Sequence, residues 1–251
     1  MPIAYLRSLT APERTLRANR HLGVSLCFIA GAVNAGGFLA VGRYTSHMTG
    51  VVSTLADDLV LGEFIYAGGA FMALLLFLAG AATSAILINW ARLHQKRSQY
   101  ALPLLVEAGL LLLFGLMGAN LHFSIGFFVP VTVGLLCFIM GLQNAIITKI
   151  SRAEIRTTHV TGLVTDIGIE LGKMLYWNNS DKSSQDFAVF ANRDKLRLQL
   201  ELVLAFFGGG VIGALGFKYV GYISTLPLSL TLLVLAAIPM VEDAFNLSEM
   251  Q

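Results

Sequence analysis

The chain has 251 residues, of which 56% are hydrophobic and only 13% charged, with a net charge of +2. Its mean hydropathy of +0.72 is too high for a water-soluble domain, in which roughly a quarter of residues are charged. The composition predicts an integral membrane protein whose first partner is the lipid bilayer, and it gives no support to nucleic-acid binding.

Hydrocarbon about 30 Å thick needs roughly 20 mainly apolar residues of helix to cross it. Six stretches qualify, near residues 22–42, 64–89, 102–119, 125–148, 199–217 and 222–241. Before the first lies a basic segment, residues 1–21, with Arg7, Arg14, Arg17 and Arg20. The basic flank resembles that of a signal peptide, but the apolar run is longer than a signal core and five more spans follow, so an uncleaved helix is expected.

After the first span comes "TSHMTG", residues 45–50, and then "VVSTLADDLVLGE", too short and polar to cross. Its apolar residues have helical spacing, with Ser53, Thr54, Asp57 and Asp58 at polar positions. The second span ends at a basic cluster, Arg92, Lys96 and Arg97. The third contains Glu107, the one acid well inside a long apolar run, and such residues are functional candidates. Its place near the cytoplasmic end of that span predicts a glutamate that snorkels or pairs with Arg92, Lys96 or Arg97.

After the fourth span comes "TTHVTG", residues 157–162, followed by "LVTDIGIELGK" with Thr165, Asp166 and Glu170. Residues 178–199 form the longest soluble stretch, either regulatory or a linker. Two further spans and a short tail, residues 242–251, close the chain.

Orientation follows from the basic residues. With the N-terminal segment in the cytoplasm, six spans place fifteen of the seventeen Lys and Arg inside, leaving only Arg43 and Lys218 outside. Treating residues 45–62 and 157–176 as full spans divides them nine to eight, so six spans with both termini cytoplasmic are expected.

The chain also repeats itself. "LCFIAGAVNA", residues 26–35, lies over "LCFIMGLQNA", residues 136–145, with Cys27, Gly31, Asn34 and Ala35 over Cys137, Gly141, Asn144 and Ala145. The two histidine motifs follow in register. "FLAGAATSA" from Phe77 resembles "FFGGGVIGA" from Phe206, and "LPLL" from Leu102 resembles "LPLS" from Leu226, which aligns Glu107 with Thr231. Each copy holds three spans, residues 22–124 and 125–241, and an odd number makes the second copy enter from the opposite side. Inverted repeats recur in secondary transporters, whose sites lie near the midplane at the repeat interface.

The candidate substrate path is therefore Asn34, His47, Thr49, Asn144, His159, Thr161 and Asp166. An amide facing lipid is costly, so Asn34 and Asn144 should point into the bundle, either bonding across helices or lining a path. A threonine or serine before the short segments is expected to cap a short helix. That helix is either re-entrant, with its N-terminal dipole favouring an anion or carbonyl-bearing solute, or flat on the interface. His47 and His159 could stabilise the cap or handle substrate or protons; their spacing nominates no metal. No cofactor or catalytic signature stands out, so no enzyme is expected. Cys27 and Cys137 imply no disulfide. Small residues in spans two and five favour close helix packing first and a homo-oligomer contact second.

The run Gly31 to Ala35, then "HMTG", the second "GLQNA" and a later "TG" resemble the YoaK family of bacterial multi-pass membrane proteins, a domain-of-unknown-function group. The resemblance covers about residues 20–240, and it implies six spans and an inner-membrane location without an established activity. The expectation is an all-α membrane protein of two inverted three-helix repeats, each with a short helix after its first span. Its expected function is transport or conduction of a small molecule or ion, with a non-transporting, partner-binding scaffold as the alternative.

Overall fold

The computed structural model describes residues 16–96, 99–118, 125–150, 158–176 and 189–248. Residues 1–15, Arg97, Arg152, Arg156, Thr157, residues 178–188 of the expected loop and residues 249–251 of the tail lie outside the described residues. No strand occurs among the described residues.

The helices are α1 (Leu16–Val41), α2 (Met48–Leu61), α3 (Phe64–Leu93), α4 (Ala101–Gly118), α5 (Ile125–Ile150), α6 (Val160–Leu175), α7 (Arg193–Tyr219) and α8 (Thr225–Ser248). A short 3-10 turn, Gly221–Ser224, leads into α8. Five of them, α1, α3, α4, α5 and α7, are long and apolar enough to cross a membrane. The chain is a multi-pass membrane protein.

The sixth expected span, 222–241, is helical throughout. The expected loop 178–199 is shorter than its polarity suggested, because α7 begins at Arg193. Asn192 explains that start: its side chain accepts a hydrogen bond from the Lys195 amide, an N-cap placed ahead of a charged first turn.

Elsewhere local chemistry sets the boundaries. Gly42, after α1, and Gly62, after α2, take left-handed conformations with φ of 71° and 76°, where a side chain would be strained. Pro103 and Pro227, the equivalent prolines of the two "LPL" blocks, each sit in the first turn of a helix. No intrahelical N–H partner is lost there.

Packing follows the alignment of the two copies. Helix α1 pairs with α7 and α5 with α3; α2 lies on α3 and α6 on α7; α4 pairs with α8. Glycines set the first two pairings. A Cβ on Gly31 would run into the Phe206 carbonyl oxygen, and one on Gly209 into that of Phe28. In the other pair Gly141 stands against the Phe77 carbonyl and Gly80 against that of Phe138. Each of these four contacts has its counterpart at the aligned positions. The shared core comes from α1, α4, α5 and α8, with Leu26, Ile29, Leu104, Leu111, Ile139 and Leu232 fully or nearly fully buried. Helices α3 and α7 expose large apolar side chains such as Ile65, Leu78, Phe207 and Ile212, as lipid-facing surfaces do.

Candidate functional site

The two histidine motifs are held by the two intramembrane asparagines. In the first copy the Ser46 hydroxyl donates to Asn34 Oδ1 at 2.9 Å, and the Ser46 amide approaches the same oxygen at 3.4 Å. In the second, Asn144 Nδ2 donates to Thr158 Oγ1 at 2.7 Å and to the Met140 carbonyl at 3.0 Å, while the Thr158 amide donates to Asn144 Oδ1 at 3.3 Å. Ser46 and Thr158 are equivalent positions, each just before the histidine. Both asparagines therefore fold the chain back onto the helix it has just left.

The depth of that return can be worked out. Asn34 precedes the end of α1 at Val41 by seven residues, so Ser46 lies about 10 Å back along the helix. Asn144 precedes the end of α5 at Ile150 by six, and Thr158 lies about 9 Å back. The short helices α2 and α6 begin within two residues of those points, two turns inside the ends of the long helices.

The expected capping does not hold. The N-cap residues are His47 and His159, and neither makes a side-chain capping hydrogen bond. The hydroxyl before each histidine is bonded to the asparagine instead, and it stands one residue ahead of the N-cap position. Thr49 and Thr161 lie inside the exposed first turns of α2 and α6. Each histidine ring lies over its own glycine, and a Cβ on Gly50 or Gly162 would occupy the place of the His47 or His159 ring. The spacing from histidine to glycine is thereby explained: the ring folds onto the third residue of the helix it precedes.

The two short helices differ in their polar partners. Asp166 on α6 accepts from Gln199 Nε2 at 2.7 Å and pairs with Lys195 at 3.1 Å. The hydrogen bond from Lys195 is the first cause holding its carboxyl below the usual range. Glu170, buried, pairs with Lys173 at 2.9 Å and accepts from the Asn192 amide at 2.7 Å. Lys173 foremost and then that amide hold its carboxyl low. Helix α6 is thus tied to the start of α7, and Asp166 serves as an anchor. Its aligned position in α2 is Thr54, and the counterpart of Glu170 is Asp58, whose Oδ2 is buried and, among the described residues, without a partner.

Helices α1 and α5 run antiparallel where they cross: Gln143 Nε2 donates to the Leu26 carbonyl at 3.4 Å, and Gly37 faces Leu136. Asn144, next to Gln143, is level with Leu26, so the two asparagines stand about 12 Å apart along the axes, on either side of the crossing. Each copy builds its own constellation, Asn34 with Ser46 and Asn144 with Thr158. The histidines and threonines stand beside these on the first turns of α2 and α6.

Sequence reasoning missed Gln143 and the pairing of Arg20 with Glu201, whose Nε to Oε2 distance is 2.6 Å. Ser46 and Thr158 were findable, as hydroxyls at matching places in the two motifs. Glu107 is fully buried and so does not snorkel; it pairs with neither Arg92 nor Lys96, and among the described residues neither carboxyl oxygen has a hydrogen-bond partner, while Arg97, the third expected partner, lies outside the described residues.

A family model described as "Protein of unknown function (DUF1275)" matches residues 22–238. No curated protein and no solved structure matches the chain.

Proposed function

We propose that this chain, which belongs to the DUF1275 family, is a transporter or channel for a small solute, built from two inverted repeats whose short helices α2 and α6 are re-entrant. The observation that carries the reading is the paired hold of Asn34 on Ser46 and Asn144 on Thr158. Both bring the start of a short helix back about two turns along the long helix before it. An inverted arrangement is supported by the matched glycine contacts of α1 with α7 and α5 with α3. The distribution of Lys and Arg supports cytoplasmic placement of the start of α1 and of the α3–α4, α5–α7 connections.

In such an arrangement the two N-terminal helix ends approach from opposite faces. Neither carries a side-chain cap, so their first-turn N–H groups and dipoles favour an anion or a carbonyl oxygen. Irregular backbone at this depth is tolerated where it lines a cavity or is buried in protein. Asn34 and Asn144 fix that backbone, and the exposed histidines and threonines supply the polar lining.

Reconstitution in liposomes with a panel of small anions, amides and amino acids tests the reading. Wild type is expected to move at least one solute faster than empty vesicles, with the rate reduced in His47→Ala and His159→Ala. Equal flux from empty vesicles, wild type and both variants for every solute contradicts transport and leaves a partner-binding scaffold in its place.

A further inference from the structure

Glu107 takes no part in the contacts that hold the paired motifs. It is fully buried, and among the described residues both carboxyl oxygens are unpartnered. It stands six residues from the start of α4 at Ala101, about 9 Å along the helix. Gln99, Tyr100 and Ala101, at that end, are themselves buried.

Its level in the bundle is set by α8. The Ser229 hydroxyl donates to the Ala108 carbonyl at 2.9 Å, and Thr225 and Tyr222 meet Gly115 and Gly118 further along. The helices therefore run antiparallel, and Glu107 is level with the turn of α8 that contains Thr231, its own counterpart in the second copy. A residue level with its counterpart lies at the height of the axis relating the two copies. Such a position is equally deep from both faces.

Among the described residues the surroundings supply no counter-charge. Helix α8 brings Ser229 and Thr231, whose hydroxyls are bonded to the Ala108 and Pro227 carbonyls. Helix α5 carries Thr132, Cys137 and Gln143, and α3 carries Ser84. The remaining titratable groups of the packed elements belong to their ends: Tyr66 and Arg92 on α3, Lys149 on α5, Tyr222 on the 3-10 turn, and Glu242 and Asp243 on α8. Helix α4 holds no other titratable residue. A lone ionised carboxyl in hydrocarbon is costly, so a glutamate kept there needs a proton or a cation in place of a partner. A dehydrated metal cation requires several oxygen ligands, commonly carboxylates, and neither α3 nor α5 carries a second carboxylate. A proton needs only the carboxyl itself.

We propose that Glu107 is a proton-exchange site at the height of the axis between the two copies, and that solute movement through the paired motifs is coupled to its protonation. The coupling rests on the transport reading above; the proton site does not. One group at the height of the axis suffices for both faces, which accounts for an unsymmetrical residue at a symmetrical depth.

The test uses dicyclohexylcarbodiimide on the full chain in phosphatidylcholine vesicles, read by mass spectrometry. A protonated carboxylic acid gives its proton to a carbodiimide nitrogen while its oxygen bonds the central carbon. The adduct rearranges to a stable acylurea without a leaving group. Labelling at Glu107 is expected at low pH, falling as pH rises, and absent from Glu107→Gln. An unlabelled Glu107 at every pH, or labelling independent of pH, overturns the proton site. Coupling is read in vesicles loaded with a pH-sensitive dye: a solute from the panel that enters wild type is expected to change the internal pH. The response is expected to be lost in Glu107→Gln and restored in part by Glu107→Asp. Solute flux with no pH change in wild type overturns coupling, whereas no flux of any solute removes the transport reading and leaves the labelling result standing.

Discussion

Replacing Gly141 by alanine measures how far the fold depends on backbone contact between α3 and α5. The added Cβ would meet the Phe77 carbonyl oxygen, which belongs to a helix backbone and cannot swing away. The helices must separate, and inserting a methyl group into a packed interface costs about 1–3 kcal/mol. Gly109 is the control, since a Cβ there meets nothing within 4 Å. Alanine at such a helical position is stabilising by roughly 0.5–1 kcal/mol. That gain is common to both helical positions, so the two substitutions, chemically identical, should differ by the packing cost of about 1–3 kcal/mol. At about 2–4 °C per kcal/mol for chains of this size, that is a Tm gap of roughly 2–12 °C. Thermal unfolding of the detergent-solubilised protein, followed by circular dichroism, reads it directly. Gly31→Ala should fall beside Gly141→Ala, because its Cβ meets the Phe206 carbonyl in the matching way. Equal Tm values for Gly141→Ala and Gly109→Ala would refute the close backbone approach.

Asn144→Ala removes two bonds to Thr158 and one to the Met140 carbonyl, a loss of about 3 kcal/mol at roughly 1 kcal/mol per hydrogen bond. Hydrogen exchange at residues 158–163 should accelerate while the centre of α5 stays protected; unchanged exchange in the motif would contradict the role of Asn144. Gly162→Ala should displace the His159 ring and raise its reactivity toward diethylpyrocarbonate, whereas Gly168→Ala, in open space on the same helix, should leave it unchanged. Glu170 titrates below its ordinary value because Lys173 and the Asn192 amide favour the carboxylate. Its anchoring of α6 is thus complete above the unfolded value and lost as pH falls through the lowered one. Proteolysis after Lys173 should rise at acid pH in wild type more steeply than in Glu170→Gln.

Much of this architecture was legible in the chain. The apolar runs gave the long helices because every lipid-facing position must be apolar, and the repeated "LCFI" block placed Gly31 and Gly141 at the two points where backbones touch. The motif boundaries were also readable, since α2 and α6 begin directly after His47 and His159. The chemistry of that start was not. A threonine before a helix usually caps it, but the asparagines, twelve and fourteen residues away from Ser46 and Thr158, compete for those hydroxyls. Pairings across the repeat, such as Arg20 with Glu201, join residues 181 apart and leave no local trace. Glu107 misled for a different reason. Its nearness along the chain to Arg92, Lys96 and Arg97 suggested a partner, but six residues of helix from Ala101 carry it about 9 Å from that end and into the core.

Accessibility of the two motifs from the two sides of the membrane tests the inverted, re-entrant arrangement most directly. Thr49→Cys and Thr161→Cys, each labelled with a membrane-impermeant maleimide in right-side-out and inside-out vesicles, provide the measurement; Cys27 and Cys137 are buried. Thr49→Cys should react from the outside and Thr161→Cys from the inside. Labelling of both from the same side, with the protein folded, would contradict the arrangement on which the functional reading rests.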